Sequence, residues 1–229
     1  NYYLISFFTK RLKLFTATVL LLTAAITTHA QTWTQAAKAL ASDGQASDEL
    51  GYSVSIDGDY AIVGAVGDDD KGSDAGAAYI FVRSSGVWTE QAKLKANDGQ
   101  SGDWFGRSVA IDGDYAIVGV PREDDKGANA GAAYIFLRSG TTWTQQSKVV
   151  ANDGAANDYL GRSVSIDGDY ALIGANKEDA KGTDAGAAYV FKRSGTSWSQ
   201  EAKLLANDGA SGDRFGYSVA ISGDYALIG

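Results

Sequence analysis

The sequence predicts an all-β fold, a β-propeller of four-stranded antiparallel blades, and three observations predict it. The chain repeats itself. Trp33, Trp88, Trp143 and Trp198 are 55 residues apart, and so are Gly51, Gly106, Gly161 and Gly216. A fixed period of that length without insertions marks a repeat architecture. Each period holds four short apolar or alternating runs separated by turn residues, the pattern of antiparallel strands joined by hairpins. Twenty-eight glycines and 12 tyrosines fit many strands and turns rather than helices. The competing repeat fold, a β-solenoid, uses shorter periods and parallel strands, which the hairpins contradict.

The N-terminal segment reads as a targeting signal. Lys10, Arg11 and Lys13 precede an uncharged apolar run over 14–26, and Thr28-His29-Ala30 gives a small-x-small cleavage site. This is the pattern of a secretory signal peptide, and the run is shorter than the roughly 20 apolar residues of a spanning helix. A signal at 1–30, with residues 1–9 as extra upstream residues, leaves 199 of the 229 residues. The expected mature chain is secreted or held at the cell surface or in the periplasm, and has no membrane span. Losing three cations and no acid takes the formal charge from −8 to −11, and the single His, His29, leaves too. Without Cys or His, the mature chain has no disulfide framework, no thiolate or imidazole metal ligands and none of the commonest nucleophile–base pairs. A pI near 4.6 argues against a nucleic-acid partner, which needs a basic face.

Within the first unit, residues 52–56 alternate, with Val54 and Ile56 on one face, as a first strand. Asp57-Gly58 suits a type I′ hairpin turn. Residues 60–65 form a short apolar run, expected of a second strand buried on both faces. An acidic loop, 68–74, leads to a third strand over 76–83. A Ser-Ser-Gly hairpin turn then precedes a more polar fourth strand over 87–96. Gly64, Ala65, Gly76, Ala77 and Ala78 are small so that neighbouring blades can approach, and the repeated Trp and Tyr79 positions fill space between blades. Asn97-Asp98-Gly99 and Asp103 recur in the link between units and are expected to cap its turn through backbone amides.

The run Trp104-Phe105-Gly106-Arg107-Ser108-Val109-Ala110-Ile111, with Gly113-Asp114 and Gly119-Val120-Pro121, resembles the FG-GAP repeat. Phe105-Gly106 and Phe215-Gly216 keep the Phe-Gly pair, and Leu50-Gly51 and Leu160-Gly161 replace Phe with Leu. The resemblance spans residues 33–229. It implies the seven-bladed propeller of integrin α subunits and of many secreted bacterial proteins, with the bacterial branch the nearer in pattern. Residues 32–50 then form a terminal strand and linker, 51–105, 106–160 and 161–215 three full repeats, and 216–229 a truncated one. The expected architecture is thus an incomplete ring of about 3.5 blades with open edges, its first strand (32–41) lent to the last blade. Integrin-like blades carry a calcium loop between the first two strands, but here that connection has shrunk to Asp57-Gly58-Asp59 and its copies, too short to wrap a cation of six to eight ligands.

Two sets of candidate residues follow. Asp68, Asp70 and Asp74, with Glu123, Asp125 and Asn129 in the next copy, space carboxylates as calcium chelators do, and the competing reading is a solvated turn. The third copy loses the middle acid at Ala180. The second set consists of positions that vary between repeats where packing would fix them. Glu49 becomes Trp104, Tyr159 and Arg214; Tyr52 becomes Arg107, Arg162 and Tyr217; Gly67 becomes Arg122 and Lys177. Aromatic and Arg side chains favour binding hot spots, and surface drift is the alternative. The expected function is a non-catalytic adhesion or binding module for a protein or carbohydrate ligand at the cell exterior. The alternatives are the platform of a larger secreted hydrolase or lyase, or a structural spacer.

Overall fold

The structure, a computed structural model, describes residues 3–5 and 34–229. Every regular element in them is a β-strand. The first blade is β3 (Leu50–Asp57), β4 (Tyr60–Ala65), β5 (Ala77–Ser84) and β6 (Val87–Leu94), paired antiparallel in that order. The second is β7 (Ser108–Asp112), β8 (Tyr115–Val120), β9 (Ala132–Ser139) and β10 (Thr142–Val149), and the third is β11 (Leu160–Asp167), β12 (Tyr170–Ala175), β13 (Ala187–Ser194) and β14 (Ser197–Leu204). A last hairpin, β15 (Val219–Ser222) and β16 (Tyr225–Ile228), begins a fourth. The sheets form an incomplete β-propeller that does not close.

β2 (Gln35–Lys38) pairs with β1 (Tyr3–Ile5). The signal-peptide reading of 1–30 otherwise falls on residues outside those described.

The first hairpin of each blade corrects the expected turn. Asp57 pairs with Tyr60, so Gly58 and Asp59 form the two-residue loop. Only Gly58 has a positive φ (55°), the pattern of a type II′ turn with Gly at its first central position. Both flanking acids then find partners. The Asp57 carboxylate accepts the Gly113 N–H of the next blade at 2.9 Å, and Asp59 pairs with Arg83 at 2.7 Å. Asp57 is therefore engaged in holding neighbouring blades together, and Asp59 in fastening the turn to its own blade.

The hydrophobic core lies between blades. Ile62 and Ile80 of the first blade cluster with Val109, Val118, Phe136 and Trp143 of the second, and Ile117 and Ile135 of the second with Val164, Ile173, Phe191 and Trp198 of the third. Tyr60 meets Trp143 edge-on at 6.3 Å, and Tyr115 meets Trp198 at 6.1 Å. A β-bulge in β6 and in β10 re-aims one glutamine for this contact. Gln91 and Gln146 accept the indole N–H of Trp143 and Trp198 at 2.9 and 3.1 Å. Trp143 and Trp198 fill space between blades, as expected. Val54 and Ile56 are 61% and 56% exposed, whereas their copies Val109 and Ile111 are 7% and 6% exposed beneath the preceding blade.

Glycines set the closest approach. Gly106 has φ +89°, and a Cβ there would stand 2.3 Å from the Ala77 carbonyl oxygen. The Gly106 carbonyl in turn lies against Gly64 and accepts the Ser53 hydroxyl at 2.7 Å. The same contact recurs at Gly161 with Ser108 and at Gly216 with Ser163.

Candidate functional site

The acidic loops between the second and third strands come first. Asp68 and Asp70 do converge, but on an ammonium group. Lys93 of β6 places Nζ 2.6 Å from Asp68 and 2.8 Å from Asp70, and also 2.8 Å from Asp43 of the incoming linker. Asp43 accepts the Tyr79 hydroxyl as well, at 2.8 Å. The second blade repeats the cluster. Lys148 lies 2.8 Å from Asp98, 2.8 Å from Glu123 and 2.5 Å from Asp125, and Tyr134 donates to Asp98 at 2.9 Å. In the third, Lys203 holds Asp153 and Glu178, and Ala180 leaves the middle place without an acid.

Each lysine thus clamps the linker from the preceding blade to its own blade's loop. Hydrogen bonds from Lys93 and Lys95 hold the Asp70 pKa down to about 2. Burial works against the Lys148 charge, yet its bonds to Asp125, Asp98 and Glu123 more than reverse this and raise its pKa. Burial raises the Tyr134 pKa, so its hydroxyl stays a donor.

Asp74 and Asn129 stand apart from these clusters, their backbone N–H groups bonded to the Asp69 and Asp124 carboxylates. The solvated-turn reading also fails at the first loop position, because Asp68, Glu123 and Glu178 are buried. The residues do not fit a calcium ion: an ammonium occupies the point on which the carboxylates converge. No group of three or more acids is placed to hold a metal among the described residues. Calcium at about 1 mM, the range of extracellular calcium modules, is therefore expected to leave the melting temperature where EDTA leaves it. A calcium-dependent rise of several degrees contradicts the lysine clamp.

The linker aspartates divide their work. Asp48, Asp103 and Asp158 are buried and accept the N–H groups of Gln45, Gln100 and Ala155. They cap the turn as expected, whereas Asp98 binds Lys148 and Tyr134 instead. Burial pushes the Asp158 pKa up to about 6.

The repeat-varied residues gather at one end of the blades, on the segments leading into or beginning each first strand and on the loops after each second strand. Glu49, Trp104, Tyr159 and Arg214 all have left-handed backbone, with φ of 56°, 63°, 57° and 59°. The backbone N–H groups of Trp104, Tyr159 and Arg214 are tied to the carbonyls of Asp74, Asn129 and Asp184 in the preceding blade. Holding a bulky side chain left-handed costs about 1–2 kcal/mol per residue.

The varied pairs meet as cation over ring. Arg122 covers Trp104 at 3.3 Å, Lys177 approaches Tyr159 at 5.1 Å, and Arg107 covers Tyr52 at 4.6 Å. Arg162 covers Tyr217 of the last hairpin at 4.2 Å. In the first blade the equivalent of Arg122 is Gly67, which has no side chain to cover a ring. There a cavity of about 370 Å³ opens, lined by Glu49, Tyr52, Val66, Gly67, Asp74 and Trp104. The sequence reading placed neither Glu49 nor Tyr52 among the site residues. Their membership of the varying series is the signal that could have found them.

Sheets of four antiparallel strands stacked through interblade cores define an open β-propeller. The FG-GAP repeat profile matches residues 33–81, 88–136, 143–191 and 198–229, and the chain belongs to the FG-GAP repeat family. Each match begins at a repeated tryptophan, so the family unit runs from the outer strand of one blade into the next, across the clamped linker. Among curated proteins none matches the chain. No helix among the described residues is long and apolar enough to cross a membrane.

Proposed function

We propose that this chain is a non-catalytic binding module, exported through its N-terminal segment, that engages a protein or carbohydrate at the cell exterior through the varied end of its blades. One observation carries the reading. Residues identical between repeats make clamps, glycine contacts and interblade cores, whereas Trp104, Tyr159 and Arg214 sit at a single left-handed position on one rim. Strained backbone under large, varied side chains clusters where ligands are held, and such side chains make binding hot spots.

The test is binding of the labelled chain to immobilised extracellular proteins and glycans, with a Trp104→Ala/Tyr159→Ala variant beside it. The variant is expected to lose at least about tenfold in affinity, the size of a modest hot spot, with its melting temperature unchanged. Full binding by the variant overturns the assignment of this rim.

A further inference from the structure

Among the described residues the arginines of this acidic chain fall into two groups. Arg83, Arg138 and Arg193 are copies of one position, and each is ion-paired, with Asp59, Asp114 and Asp169 respectively. Arg107, Arg122, Arg162 and Arg214 stand on the varied rim. Among the described residues none of these four has an ion-pair partner or a side-chain hydrogen bond, although the chain carries 28 acids. The Nε of Arg122 is buried without a partner.

Three of the four stack on rings, which occupies the guanidinium face and leaves the N–H edge free to bind an anion in a two-pronged contact. The order across the blades is Tyr52, Arg107, Arg162, Tyr217. Each central arginine leans outward onto its own tyrosine, 4.6 and 4.2 Å away, so the two guanidinium groups diverge at the seam between the second and third blades. The cavity lies one seam away, between the first and second blades on the Arg107 side, with Tyr52 and Trp104 as ring platforms and Glu49 and Asp74 as acceptors.

We propose, building on the binding-module reading, that this rim recognises an acidic polysaccharide. Carboxylate or sulfate groups meet the edges of Arg107 and Arg162, and a neighbouring sugar ring enters the cavity against Tyr52 and Trp104. Glu49 and Asp74 accept hydroxyl hydrogens there, a contact a sugar can supply. An acidic peptide would meet the same two carboxylates as like charges. The anion-binding property belongs to the rim alone, since the chain as a whole is net −8.

The experiment measures affinity of the full chain for alginate, which carries carboxylates, dextran sulfate, which carries sulfates, neutral dextran and polyglutamate. The Arg107→Gln/Arg162→Gln, Arg214→Gln and Lys192→Gln variants are compared, each with a thermal melt. The expected result is binding to alginate or dextran sulfate that weakens with salt, falls about tenfold in the double variant, and is unchanged in Lys192→Gln at the far end of β13. If the double variant fails to fold, the exposed Arg214→Gln carries the test, with a smaller loss expected. Binding that is equal in wild type and both arginine variants overturns the proposal, as does polyglutamate bound as tightly as the polysaccharides. If neither acidic polysaccharide binds but a neutral glycan or protein is lost with Trp104→Ala, the anion assignment falls and the binding module stands. If the Trp104→Ala/Tyr159→Ala variant keeps every ligand, both fall.

Discussion

Replacing Gly161 with alanine is expected to remove about 4 kcal/mol of stability, most of what a domain of ordinary stability has. Two effects combine at this position. Its φ of +89° is one that L side chains rarely adopt, and a Cβ would lie 2.2 Å from the Ala132 oxygen and 2.8 Å from the Val120 nitrogen. Those atoms are backbone of the second blade and cannot rotate away. Relief requires the second and third blades to separate, and that parts Ser108 from the Gly161 carbonyl and opens the core around Ile117 and Val164. In a repeat array each blade depends on its neighbours, so one broken interface uncouples the units on either side. The control is Gly168→Ala in the β11–β12 turn. There φ is +57° and nothing lies within 4 Å of the added atom, so only backbone strain of about 1 kcal/mol is expected. Urea unfolding of the two variants checks the contrast. Similar losses would mean that backbone strain alone, not the interblade contact, governs the Gly161 position.

The contrast between these glycines shows what the sequence could tell and why. Period, strand number and strand order were legible because side-chain alternation and turn residues are local, and the 55-residue repeat prints them again and again. The second strand is found over Tyr60–Ala65 as read, and Trp143 and Trp198 pack between blades as read. The turn type was misjudged by one place, because the sequence pair Asp57-Gly58 does not say which residue starts the loop. The acidic loop was misread for a different reason. Its partners, Lys93 and Asp43, are distant in sequence, and carboxylate spacing alone looks the same around calcium and around an ammonium. Lys93, Lys148 and Lys203 do recur at the repeat period, and that recurrence was the available signal. The varied positions were legible as a series. The cavity beside Gly67 was not, because it depends on a side chain being absent where the other blades place Arg122 and Lys177.

Replacing Lys148 with methionine is expected to cost about 2 kcal/mol at neutral pH, a melting-temperature drop of roughly 4–8 °C for a chain of this size. Removing one partner of a fully buried ion pair costs more, about 3–5 kcal/mol, but Asp98 and Asp125 are half exposed and fall back on water. Glu123 cannot. Its side chain is 6% exposed, its Oε2 has no partner, and without Lys148 its Oε1 keeps only the Asp125 N–H at 3.0 Å. Burial already raises the Glu123 pKa against the pull of Lys148, and the variant raises it further. A carboxyl whose folded pKa lies above its unfolded value costs stability as pH rises through the unfolded value, near 4.3 for Glu. The variant's deficit is therefore largest at neutral pH and shrinks below about pH 4. The wild type changes in the opposite sense over the same range. The Lys148 hydrogen bond lowers the Asp125 pKa, and the Asp98 pKa is lowered despite its burial, because Lys148 and Tyr134 both bond it. The stability these two carboxylates provide is present above about pH 4 and is lost as pH falls through their depressed values. Asp158, raised to about 6, lowers stability between about pH 4 and 6 in both proteins and cancels in the comparison. The two stability curves should converge on acidification, and adding Glu123→Gln to the variant should recover part of the neutral-pH loss. A deficit of equal size at pH 3 and pH 7 would instead assign the role of Lys148 to its packing over the Tyr134 ring, 5.5 Å away, and not to its charge.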